Sequence, residues 1–62
     1  MYRLRIHVRN ASDITPLDYR DHSVLGEDEE GNLIYEFETL SVDELLAELE
    51  NFEYAEVIPI DP

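Results

Sequence analysis

Residues Tyr2 to Val8 alternate polar and apolar side chains without interruption. Tyr2, Leu4, Ile6 and Val8 share one face, and Arg3, Arg5, His7 and Arg9 share the other. A period of two is the mark of a strand with one buried face. Such a strand needs a cover, and the chain holds one clear candidate. Val42, Leu45, Leu46, Leu49 and Phe52 recur at helical spacing and form one apolar stripe. Ser41 stands at the N-cap position with Glu44 three residues on, the pattern of a capping box. The spacing predicts a helix over 42–52 packed on a sheet, which makes the chain α+β.

Those two elements must supply most of the stability. The chain has 62 residues, enough for one domain over 1–62, and no cysteine. Disulfides and thiolate zinc sites, the usual supports of so small a core, are therefore excluded. Apolar residues make up 44 % of the sequence, which is ample for a folded core. No apolar run reaches the 18 or more residues a membrane span requires, and the alternating N-terminus lacks the continuous apolar stretch of a signal peptide. A cytoplasmic protein is expected.

The remaining elements are shorter. Thr15-Pro16-Leu17-Asp18 offers a cap, proline at the first helical position and an acid in the first turn, predicting a short helix over 16–21. Residues 23–28 read as a second strand. Glu29-Glu30-Gly31-Asn32 reads as a hairpin turn, with Gly31 or Asn32 at positive φ. Residues 33–40 form a third strand, with Leu33, Tyr35, Phe37 and Thr39 on one face and Ile34, Glu36 and Glu38 on the other. Residues 56–60 form a last strand, placed at a sheet edge by Pro59. The order β, short α, β, β, α, β is that of the ferredoxin-like split-βαβ arrangement. Strands one and three are then central neighbours, and the arginines of one lie beside Glu36 and Glu38 of the other. If the short helix does not form, the alternative is a three-stranded meander followed by a helix and a fourth strand.

Charge constrains function more than any motif. Sixteen acids face four arginines, with no lysine, for a net charge of −12. All four arginines lie in the first twenty residues, against Asp13 and Asp18. Residues 21–62 carry the other fourteen acids and no Lys or Arg. Nucleic acid and anionic membranes are repelled by most of this chain, so direct binding to either is not expected. Basic protein surfaces are attracted.

Motifs for chemistry are weak. His7, His22 and the serines at 12, 23 and 41 lack any spacing that selects a triad, and Ser41 is committed to a cap. The carboxylate pairs Glu36/Glu38 and Glu44/Glu48 are unremarkable where acids are so common, and a glycosidase also needs a cleft between them. The run Asp28-Glu29-Glu30-Gly31-Asn32 fails as a calcium loop: counted from Asp28, position 6 is Leu33 and position 12 is Thr39, where glycine and glutamate are required. No glycine-rich phosphate loop exists. The arginine face lacks the aromatic pair with which such sheets stack RNA bases. No cofactor, metal or catalytic role is expected.

The acids themselves are the remaining candidate. A negative surface aids solubility, but stability alone would not choose this one. Glu44 and Glu48 are a like-charged pair at i, i+4, and Glu50 and Glu53 fall near the helix C-terminus, the unfavourable end for an anion. The expected partner-binding residues are Glu27, Asp28, Glu29 and Glu30 at the hairpin tip and Asp43, Glu44, Glu48 and Glu50 on the helix. Carboxylates two apart on a strand, or four apart on a helix, are spaced on the order of DNA phosphates, roughly 6–7 Å. In size and charge the chain is similar to small virus-encoded DNA-mimic inhibitors, including anti-restriction and anti-CRISPR proteins. That resemblance implies an inhibitor acting in a host cytoplasm on a basic, nucleic-acid-binding surface. The alternative is a structural or regulatory module that forms a homodimer through its sheet.

Overall fold

The computed structural model describes residues 1–60. Along the chain run β1 (Tyr2–Val8), a 3-10 helix (Ala11–Leu17), β2 (Ser23–Glu27), β3 (Leu33–Thr39), α1 (Val42–Ala47) and β4 (Tyr54–Pro59). The strands form one antiparallel sheet in the order β2-β3-β1-β4. The protein is α+β, with both helical segments on one face of the sheet and, among the described residues, no helix over the other.

The alternation of β1 is carried through to burial. Leu4, Ile6 and Val8 are fully buried and meet Tyr35 and Phe37 of β3, Ile14 and Leu17 of the 3-10 helix, and Leu45 and Leu49 from α1 and its exit. The β1–β3 register sets Leu4 opposite Phe37 and Ile6 opposite Tyr35, which aligns the two apolar faces. It also sets Arg3 opposite Glu38 and Arg5 opposite Glu36 on the open face.

Four expectations are corrected. The first helix is a 3-10 segment at Ala11–Leu17 rather than a helix over 16–21. Its start is set by Asn10 and Asp13, with Asn10 N–H donating to Asp13 Oδ2 at 3.4 Å. A three-residue repeat puts Ile14 and Leu17 on one side, and both are buried. Pro16 therefore sits inside the segment instead of opening it.

The main helix stops at Ala47 instead of continuing to 52. Its exit tightens into i→i−3 bonds, Glu48 N–H to Leu45 O and Leu49 N–H to Leu46 O. The chain must then reach β1, where Glu53 N–H donates to His7 O at 2.8 Å. An α-helix advances only about 1.5 Å per residue, so unwinding lengthens the reach. Glu48, Glu50 and Glu53 would also burden a helix C-terminus. As a result Phe52 leaves the apolar stripe and is 40 % exposed.

The third correction is β4, which spans Tyr54–Pro59 rather than 56–60. The fourth is β2, whose pairing with β3 slips between Val24 and Gly26. Gly26 has φ 113°, and all five residues of this edge strand are exposed. The hairpin turn forms as expected, with Gly31 taking the positive φ of 85°.

No helix among the described residues is long and apolar enough to cross a membrane.

Candidate functional site: two faces of opposite character

The open face of the sheet is a layer of paired charges. Arg5 Nε donates to Glu36 Oε2 at 2.9 Å. Arg3 lies 3.5 Å from Glu36 through Nε and 3.5 Å from Glu38 through Nη2. Arg3 Nε is itself buried, and at that distance Glu36 offers an ion pair but no hydrogen bond. At the edge, Arg9 Nε stands 3.6 Å from Glu53.

In the sequence His7 is one polar residue among arginines. In the fold it is 7 % exposed and is clamped between two carboxylates. Nδ1 lies 2.8 Å from Asp28 Oδ2 in the hairpin, and Nε2 lies 3.0 Å from Glu56 Oε2 on β4. The Tyr54 ring meets the imidazole edge-on at 5.2 Å. A neutral imidazole donates from one nitrogen only, so two carboxylates at these distances select the cation. Burial alone would push the His7 pKa down. The hydrogen bonds to Asp28 and Glu56, with their charges, outweigh it and hold the pKa above its ordinary 6.5.

Asp28 has a second task. Its Oδ1 accepts from the backbone N–H of Glu30 and of Asn32, each at 2.9 Å, and its Oδ2 accepts from Asn32 Nδ2 at 3.1 Å. The His7 bond is the main reason its carboxyl lies well below the usual range, with the Asn32 and Glu30 donors adding to it against some burial. This is a turn anchor, committed to the fold.

The other acids of the hairpin and helix layer have different surroundings. Glu27, Glu29 and Glu30 at the tip, Asp43 and Glu44 on α1, and Glu50 beyond it are all exposed. Among the described residues none of these six forms an ion pair, and the same holds for Asp18 and Asp21. Glu48 differs: both its oxygens accept from Tyr19 Oη, at 2.6 and 2.8 Å, and Arg20 Nε stands 3.8 Å away. Asp28 and Glu48 are thus held internally, while the other six expected binding residues are open to solvent. Asp61 lies outside the described residues.

The six do not form one cluster. β3 begins at Leu33, opposite Val8, and ends at Thr39, opposite Tyr2. The hairpin acids therefore sit at one end of the sheet and Asp43 and Glu44 at the other. The separation is about 20 Å, the length of a seven-residue strand.

Two open depressions mark the surface. One of about 530 Å3 is lined by Arg20, Asp21, His22, Ser23, Glu36 and Glu38, with Met1 at its border. His22 Nδ1 lies 2.8 Å from the Arg20 carbonyl, and its ring packs near Tyr35 and Phe37. Among the described residues no hydrogen bond joins a serine hydroxyl to either histidine. The second, about 440 Å3, lies at the start of α1 and is lined by Tyr2, Leu40, Ser41, Val42, Asp43 and Val57. It was not anticipated from the sequence, because the length of α1 decides whether Val57 is covered. No group of three or more metal-ligating side chains occurs among the described residues.

Comparison with protein-family models, with curated proteins and with solved structures finds no match to this chain.

Proposed function

We propose that this chain is a small acidic binding protein, an inhibitor that occupies the basic nucleic-acid-binding surface of another protein in the manner of a DNA mimic. The observation that carries the reading is the sorting of charge between the faces. Glu36, Glu38 and Glu56 on the open face of the sheet are matched by Arg3, Arg5 and His7. Among the described residues Glu27, Glu29, Glu30, Asp43, Glu44 and Glu50 have no such partners, although nearby Lys or Arg would stabilise the fold at little cost. Unmatched carboxylates on a molecule of net charge −12 attract cationic surfaces and speed association. A virus-encoded protein acting in a host cytoplasm is the setting that this reading implies.

We further infer a ferredoxin-like fold, supported by the strand order β2-β3-β1-β4 and by β3 lying between β1 and β2. Self-association through the sheet is the weaker functional reading. The Gly26 bulge distorts one edge, Pro59 blunts the other, and the open face is occupied by its own ion pairs.

The test is capture from a cell lysate on immobilised chain, followed by separate elutions with short duplex DNA and with a salt step. The expected result is a nucleic-acid-binding protein released by both. A specifically captured protein that resists both DNA and salt would sink the charge-mimic reading.

A further inference from the structure

At the groove at the start of α1 the acidic layer carries a cluster of exposed apolar side chains around a depression. Four of its six lining residues, Tyr2, Leu40, Val42 and Val57, are apolar. Leu40 is 78 % exposed, Val57 48 % and Tyr2 39 %. The fold explains why they are uncovered. Val57 pairs with Leu4 and so lies on the helix-bearing side of the sheet. The six residues of α1 cover β1 and β3 but leave this part of β4 bare. Leu40, almost wholly in solvent, contributes little to folding.

Asp43 lines the same groove and Glu44 follows it on α1, both exposed and without an ion pair among the described residues. Protein interfaces gain most of their energy from an apolar anchor seated in a pocket, with charged groups at the rim steering the approach. We propose that this groove seats an apolar side chain of the partner, while Arg or Lys residues flanking that side chain pair with Asp43 and Glu44. The inference rests on the acidic-binding reading and narrows it to one end of the molecule. The hairpin tip, about 20 Å away along β3, has acids that line neither of the two depressions and contributes only long-range attraction. A second copy of the chain is a poor occupant. A two-fold contact here would set Asp43 and Glu44 against their own counterparts, between molecules each of charge −12.

The test uses isotope-labelled protein and two synthetic hexapeptides of equal charge, each with four arginines. One carries two leucines, and the control carries two serines in their place. The leucine peptide should bind about tenfold more tightly, the scale expected for burying one leucine side chain. It should shift the amide resonances of Tyr2, Leu40, Val42, Asp43 and Val57. Leu40→Ser should remove that advantage, whereas Glu29→Gln with Glu30→Gln should leave it in place. Equal binding of the two peptides, or shifts centred on residues 27–31, would overturn the groove while sparing the charge reading. Failure of both peptides to bind at low salt would overturn both. Dimerisation abolished by Leu40→Ser, seen by sedimentation, would make the occupant a second copy and overturn the proposal.

Discussion

The clamp on His7 makes a sharp prediction about pH. Its folded pKa is held above 6.5, so the clamp contributes stability that is fully present below about pH 6.5 and is lost as pH rises through the folded value. Deprotonation leaves an imidazole lone pair facing a carboxylate oxygen at 3.0 Å or less. Removing one partner of a buried pair costs about 3–5 kcal/mol. Glu56 is 39 % exposed and can recover some hydration, and an apolar replacement gains some burial. We therefore expect His7→Leu to cost about 2–4 kcal/mol at pH 6, against a total of roughly 3–9 kcal/mol for a domain of this length. Urea unfolding followed by circular dichroism, repeated from pH 5.5 to 9, reads both quantities. The parent should lose stability across the upper part of that range, and His7→Leu should lose much less. Should His7→Leu not fold, Glu56→Gln provides the second measurement. It keeps an acceptor but removes a charge, so the midpoint of the pH-dependent loss should move to lower pH. A parent profile that is flat from pH 6 to 9, or a slope that survives both substitutions, would refute the clamp.

Other expectations follow from burial and backbone geometry. Leu45→Ala, at a fully buried site, should cost about 2–5 kcal/mol in urea unfolding, while the same deletion at the exposed Leu40 should stay within about 0.5 kcal/mol. Gly31→Ala should lower the melting temperature by several degrees, since a Cβ there meets no neighbour but the φ of 85° costs about 1–2 kcal/mol for any other residue. Neutralising Glu29, Glu30, Asp43 and Glu44 together should leave the melting temperature unchanged or slightly higher and flatten the salt dependence of partner release. Adding Asp28→Asn to that set should lower the melting temperature, because its carboxylate anchors the turn and holds His7.

Much of the fold was legible because the strongest local patterns and the tertiary contacts agree. Alternation in β1 and β3 fixed which side chains are buried, and the pairing of Arg3 and Arg5 with Glu36 and Glu38 followed from placing those strands side by side. What the sequence hid was set by distance and register. Nothing local says that the chain after α1 must unwind to bring Glu53 to His7, so Phe52 looked like a core residue. Pro16 resembled a helix start, while Asn10 and Asp13, six and three residues earlier, held the cap. The Gly26 bulge, absent from any periodicity, shifts the register of the edge strand β2 against β3.

The candidate site was less legible for a related reason. Counting acids along the chain treats Asp28 and Glu29 as equals, yet one is bonded to a buried histidine and three turn donors while the other faces water. Charge acts through the face on which each residue lands. The β1–β3 and β1–β4 registers bring Glu36, Glu38 and Glu56 to the same side as Arg3, Arg5 and His7, which pair with them. Arg9 and Arg20 answer Glu53 and Glu48, and most of the acids that the topology sends elsewhere lie without an ion pair among the described residues. With the cations so committed, a surface with unpaired carboxylates is a direct consequence of how these strands pair. A partner that supplies the missing cations has to approach from the helix side or the hairpin tip, and the start of α1 also offers it an apolar foothold clustered around a groove.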